Sequence, residues 1–140
     1  MRIGIIGSMT FAQEMMDIKS QLDALGHEAT IPHETESHIT DEGKADDPES
    51  HVQWGIENDI MRQNFDRIAE EDAVFVVNLP KNGMDGYIGV STLLEMGIAL
   101  YLRKKIFLLH AVPPIAEARW AHEVALMHPL VIEGELKKIV

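Results

Sequence analysis

Residues 81–97 read KNGMDGYIGVSTLLEMG, directly after AVFVVNLP at residues 73–80. The earlier run is apolar and β-branched, as a strand buried on both faces requires. The later one is polar and studded with glycine until Ser91, then turns to helix formers. Together they spell a strand that opens through a loop into a helix beginning near Ser91, the unit from which α/β domains are built. A helix start offers free N–H groups and the positive end of a dipole, which suit a phosphate or a carboxylate. This helix nevertheless carries its own carboxylate, Glu95, expected in its first turn.

Outward from that stretch the same grammar repeats. Residues 2–6 are a continuous apolar strand pattern, and Gly7, Ser8 and Met9 form the turn after it. Phe11, Met15, Ile18, Leu22 and Leu25 recur at helical spacing, and Gly26 sits where a helix-ending glycine belongs. Residues 27–31 make a short second strand, ended by Pro32. Residues 33–51, HETESHITDEGKADDPESH, are acidic and almost without apolar residues, an expected surface excursion. A single helix is predicted over 49–69, with Val52, Ile56, Ile60, Phe65 and Ile68 inward and Asp59, Arg62, Asp66 and Arg67 outward. Strands follow at 73–79, 106–109 and 130–132, with helices at 92–102 and 115–127. Trp54 and Trp120 fall on helices at core-like spacing, which assigns them to packing or to a subunit contact. The expected architecture is a single domain over 1–140: a three-layer, flavodoxin-like α/β fold with a five-stranded parallel sheet in the order 2-1-3-4-5. Ligands of such sheets bind beyond the carboxyl ends of the strands, where the order reverses. That places the 7–9 loop and the 78–92 loop on one crevice.

Composition narrows the function classes. The chain has 140 residues, a formal net charge of −11 and no cysteine. Duplex nucleic acid is excluded as a partner by the missing basic patch, and thiolate chemistry and disulfides by the missing thiol. Its apolar runs are strand-sized, too short to cross a membrane, so a cytoplasmic protein is expected. His33 and His38 show no metal-ligand spacing, and neither a P-loop nor a dinucleotide fingerprint is present, so no metal and no cofactor are expected.

Two roles are open for Glu95 on the residues alone. Thr92 and Glu95 match a capping box, in which each side chain satisfies the other's backbone N–H. Alternatively the carboxylate stands at the crevice, with Gly89 and Gly97 allowing close approach, and attacks an anomeric carbon. Gly7, Ser8, Met9, Asn78, Lys81, Asn82, Gly89, Ser91 and Thr92 are the candidate ligand-binding residues, the last three through the helix start.

The run Ser91-Thr92-Leu-Leu-Glu95-Met-Gly97-Ile-Ala99, the strand ending at Asn78 and the opening Ile5-Ile6-Gly7-Ser8-Met9 resemble the nucleoside 2-deoxyribosyltransferase superfamily. The resemblance implies that Glu95 is the nucleophile of a retaining double displacement at C1′ of a nucleoside or nucleoside monophosphate. It also implies assembly as a homo-oligomer, a dimer being expected here. Where the family carries an aspartate, six residues before the glutamate, this chain has Gly89. Asp85 and Tyr87 are therefore the candidates for the general acid. A non-catalytic nucleotide-binding module of the same fold is the alternative.

Overall fold

The computed structural model describes residues 1–36 and 48–140. The N-terminal half contains β1 (Arg2–Gly7), a 3-10 turn (Met9–Phe11), α1 (Ala12–Ala24), β2 (Glu28–Thr30), α2 (Pro48–Glu57) and α3 (Ile60–Ala69). β3 (Ala73–Val77), α4 (Val90–Tyr101), β4 (Lys105–Leu108), α5 (Ala121–Met127), β5 (Leu130–Val131) and a last 3-10 turn (Leu136–Lys138) follow. The described strands form one parallel sheet in the order β2-β1-β3-β4-β5, as the sequence predicts.

The apolar strand runs have a simple physical reason. Successive side chains point to opposite faces, and both faces are covered by helices. Ile3, Ile5, Phe75, Val77, Phe107 and Leu109 pack on one side against Met15, Ile18 and Leu22 of α1. Ile6, Val74, Val76, Ile106 and Leu108 pack on the other against Ile68 of α3, Met96 and Ala99 of α4, and Val124 of α5. This is a helix–sheet–helix sandwich with a core on each face of the sheet.

Local signals set the helix ends. α1 stops in a Schellman motif, where Gly26 at φ 93 donates to Asp23 O at 3.0 Å and His27 N donates to Leu22 O at 3.1 Å. Gly7 is explained by packing: a Cβ there would lie 3.0 Å from the Val77 carbonyl oxygen and 3.5 Å from Met15 Sδ. The residue lets β1 and β3 run side by side under α1.

The structure departs from the sequence reading at several helices. The helix predicted over 49–69 is two, broken at Asn58 and Asp59, with Asp59 left-handed at φ 50. Asn58 turns its amide back to Trp54 O at 2.8 Å, the local bonding by which asparagine competes with a helix. The break changes which sides face inward. Val52 and Ile56 are 58% and 69% exposed and Trp54 is 43% exposed, while Asn64 and Arg67 are buried. Helix α5 is shorter than 115–127: turns at 115–117 and 119–120 follow the proline pair, and Trp120 stands just before the helix. Part of the expected excursion at 33–51, His38 included, lies outside the described residues. Among the described residues, no helix is long and apolar enough to cross a membrane.

Candidate active site

Helix α4 begins at Val90, with Gly89 as its N-cap in extended conformation and no side-chain cap. Glu95 therefore sits in the second turn, beyond the reach of a capping box, and Thr92 is buried within the first. The Glu95 Oε2 atom is buried and has no hydrogen-bond partner. An unpartnered buried carboxylate oxygen is costly to the fold, here as at Glu71 Oε2.

Glu95 lines a cavity of about 550 Å³ between α2, α3 and the start of α4. Its polar lining comes from Glu34, His51, Asp59, Asn64, Ser91 and Glu95, and its apolar walls include Val52, Ile56, Ile60, Met61 and Phe65. Burial is the main cause that pushes the Glu95 pKa from its ordinary 4.5 up to about 7; the Arg67 charge opposes the rise and the Glu34 charge adds to it. A carboxyl poised near neutrality in a largely apolar cavity fits the pattern of functional carboxylates.

Arg67 sits deep beside this group, and the sequence placed it on the solvent face. β2 pairs with β1 only from Arg2 to Gly4, whereas β3 accompanies β1 through Gly7, so among the described residues the second half of β1 has no strand on one side. Arg67 fills that place: Nη2 donates to Ile5 O at 3.0 Å and Nη1 to Thr30 Oγ1 at 2.9 Å. Thr30 donates in turn to the buried Glu71 at 2.9 Å. Gly4 makes the room, since a Cβ there would lie 3.4 Å from Arg67 Nη1 and 3.2 Å from Glu71 Cγ. Burial lowers the Arg67 pKa while Glu95, Glu71 and Glu34 raise it, and the guanidinium stays charged. Its Nε is buried without a hydrogen-bond partner, the donor counterpart of the Glu95 oxygen.

A second polar cluster lies at the ends of β1 and β3. Lys81 Nζ donates to Ser8 Oγ at 2.9 Å and stands 5.6 Å from the centre of the Tyr87 ring, so the loops after β1 and β3 do meet. Ser8 also caps the 3-10 turn by accepting from Thr10 N at 3.3 Å, and Met9 packs against the α1-side core. Tyr87 lies next to Gly89 and packs edge-on against Trp120 at 6.4 Å. Lys81 and Met84 exchange backbone bonds across Asn82 and Gly83, whose φ values of 55 and 72 make a tight hairpin turn.

The remaining residues singled out in the sequence are dispersed. Asn78 is fully buried, and its amide staples β3 to the end of β4, donating to His110 O at 2.7 Å and accepting from His110 N at 3.0 Å. Asp85 is exposed and lines a separate depression of about 310 Å³ with Pro113, Pro114 and Glu117. Of the residues predicted from sequence, Ser91 and Glu95 line the larger cavity. Glu34 and Asn64 were not among the predicted site residues, and Arg67 was expected to face solvent. Gly4 in an otherwise bulky strand is the one sequence signal that something large crosses β1.

Among the described residues no group of His, Asp and Glu is arranged to hold a metal ion. No protein-family model matches the chain, and neither does any curated protein sequence. Solved structures do match. The CMP N-glycosidase BcmB of Clostridium botulinum has a TM-score of 0.49 and 18% identity, over 94% of this chain and 84% of that one. The 2-deoxyribosyltransferase of the psychrotolerant bacterium Bacillus psychrosaccharolyticus has a TM-score of 0.53 and 18% identity, over 82% of this chain and 76% of that one. With its sheet order and layers, the chain has a nucleoside 2-deoxyribosyltransferase-like fold.

Proposed function

We propose that this protein cleaves or transfers the N-glycosidic bond of a nucleoside, with Glu95 as nucleophile. The observation that carries the reading is that Glu95 lines the cavity between α2, α3 and α4 and keeps one carboxylate oxygen buried without a partner. The likeness of the fold to a 2-deoxyribosyltransferase supports it. In the first step a Glu95 oxygen bonds to C1′ as the C1′–N bond breaks, and the bond's electron pair departs with the base, which takes up a proton. Water or a second base then attacks C1′ from the other side and frees the carboxylate, so configuration is retained. Apolar walls fit a base and the faces of a sugar, and the acceptors Glu34, Asn64 and Glu95 fit hydroxyl groups.

The cavity also favours an uncharged substrate. Its described lining contains three carboxylates and neither Lys nor Arg, so a phosphate dianion meets repulsion there. An unphosphorylated nucleoside is the preferred class, with the 5′-monophosphate as the competing one. The test is incubation with deoxynucleosides, ribonucleosides and their 5′-monophosphates, followed by chromatography for free base. Release is expected from nucleosides and lost in Glu95→Ala. Tight nucleoside binding without turnover would instead establish a non-catalytic binding module.

A dimer is proposed on the exposed side of α4. Val90, Leu94 and Tyr101 are 78%, 48% and 83% exposed and share one stripe of that helix. Light scattering decides it: a monomer across the micromolar range refutes this part.

A further inference from the structure

A departing base takes up a proton, and neither acid expected from the loop after β3 is placed to give it. Asp85 opens onto a separate depression, and Tyr87 does not line the cavity that holds Glu95. The other carboxyls of that cavity are engaged differently. Asp59 is bound by Arg62, whose Nη1 donates to its two oxygens at 2.9 and 2.8 Å. Glu34 receives the Asn64 amide at 3.4 and 3.5 Å, and it acts on Glu95 as a negative charge, which draws a proton to Glu95 and not to a base. His51 is the remaining titratable group among the described lining residues.

The helix period explains its place. His51, Val52, Gly55 and Ile56 recur at spacings of three and four, so they share one stripe of α2, and that stripe is one wall of the cavity. Ser91 and Glu95, four apart on α4, belong to another wall, and α3 packs against both helices. Trp54, three residues after His51, limits the freedom of the imidazole, with ring centres 6.0 Å apart and planes tilted by 37°.

We propose that His51 is the acid–base residue that serves the leaving base, an inference that rests on the glycosidase reading above. As a Glu95 oxygen bonds to C1′ and the C1′–N bond breaks, its electron pair leaves with the base and the His51 imidazolium gives its proton to the departing nitrogen. In the second step the neutral imidazole takes a proton from the attacking water, whose oxygen bonds to C1′ while the C1′–Glu95 bond breaks. Both side chains end as they began, and the sum is nucleoside plus water giving base plus free sugar. The presence of His51 and Glu95 in one cavity, on different helices, carries the inference. The charges suit the two roles, because an imidazolium favours the ionised carboxylate, the form of Glu95 that attacks. Histidine is also the side chain that ordinarily gives and takes a proton near neutral pH.

The leaving group supplies the test. An ordinary nucleoside needs its base protonated, whereas 7-methylguanosine or a p-nitrophenyl glycoside departs without a proton. In His51→Gln, kcat/KM on ordinary nucleosides is expected to fall by about 10²-fold or more, while cleavage of the activated substrates stays within about fivefold of wild type. Equal losses on both classes, or no loss on ordinary nucleosides, overturns the proposal and leaves Glu95 untouched. A wild-type protein that cleaves the activated substrates alone overturns the acid role alone. One that cleaves neither class overturns the glycosidase reading itself, and this role with it. His51 is exposed, so its replacement leaves the core intact, and His51→Ala in the same assay is expected to show the same split.

Discussion

Replacing Glu95 with glutamine is expected to stabilise the protein, and by an amount that depends on pH. In the folded chain burial raises this carboxyl from 4.5 to about 7. The folded state therefore holds the proton more tightly than the unfolded chain. Stability contributed by the protonated group is complete below about pH 4.5 and is lost as pH rises through about 7. At about 1.4 kcal/mol per pH unit, the loss approaches about 3 kcal/mol near pH 8, with about 2 kcal/mol near pH 6 and a few tenths near pH 4. Glutamine mimics the protonated form at every pH, so Glu95→Gln gains those amounts over wild type. Urea unfolding of the two proteins at the three pH values measures it, and at an m-value of about 2 kcal/mol/M the gain near pH 8 is a midpoint shift of about 1.5 M. A capping or structural glutamate behaves in the opposite way, losing stability on substitution at every pH. A gain that does not grow with pH, or a loss near pH 8, refutes the burial argument. Coupled with loss of base release, the predicted gain is what a site that trades stability for chemistry shows.

Other expectations follow from single features. Arg67→Met removes the charge that opposes the rise at Glu95, so carboxyl-detected NMR of the variant is expected to place the Glu95 titration above about 7; an unmoved midpoint separates the two residues. Gly7→Ala forces a Cβ to 3.0 Å from the Val77 carbonyl, which is backbone and cannot yield, so a loss of about 1–3 kcal/mol in chemical unfolding is expected. Arg103 occupies the left-handed position after α4 at φ 61, and Arg103→Gly is expected to gain about 1 kcal/mol by the same measurement.

Much of the fold was legible because strands buried on both faces cannot hide. A run such as residues 73–77 admits no other cheap placement, and the glycine after α1 announces its cap. The helices were less legible where one residue's backbone decided the phase. Periodicity over 49–69 pointed to a single amphipathic helix, yet Asn58 and Asp59 break it. That rotation leaves Val52 and Ile56 outside and takes Arg67 inside. Likewise Thr92 and Glu95 matched a capping box until Gly89 proved to be the N-cap, which moves Glu95 one turn deeper.

The buried arginine shows why the site resisted sequence reading while its proposed nucleophile did not. Glu95 is tied to a local pattern, a strand, a glycine loop and a helix start. Arg67 is tied to a distant shortage, a β2 that ends at Thr30 and leaves Ile5 O uncovered, and to the missing side chain at Gly4. No periodicity along α3 records either fact. The cost of burying a charge there is offset because its fork meets two acceptors at once and the charges of Glu95, Glu71 and Glu34 favour it. The sheet edge and the candidate nucleophile thus depend on the same side chain. A change that shortens or loses it disturbs the packing of β1 and the ionisation of Glu95 together.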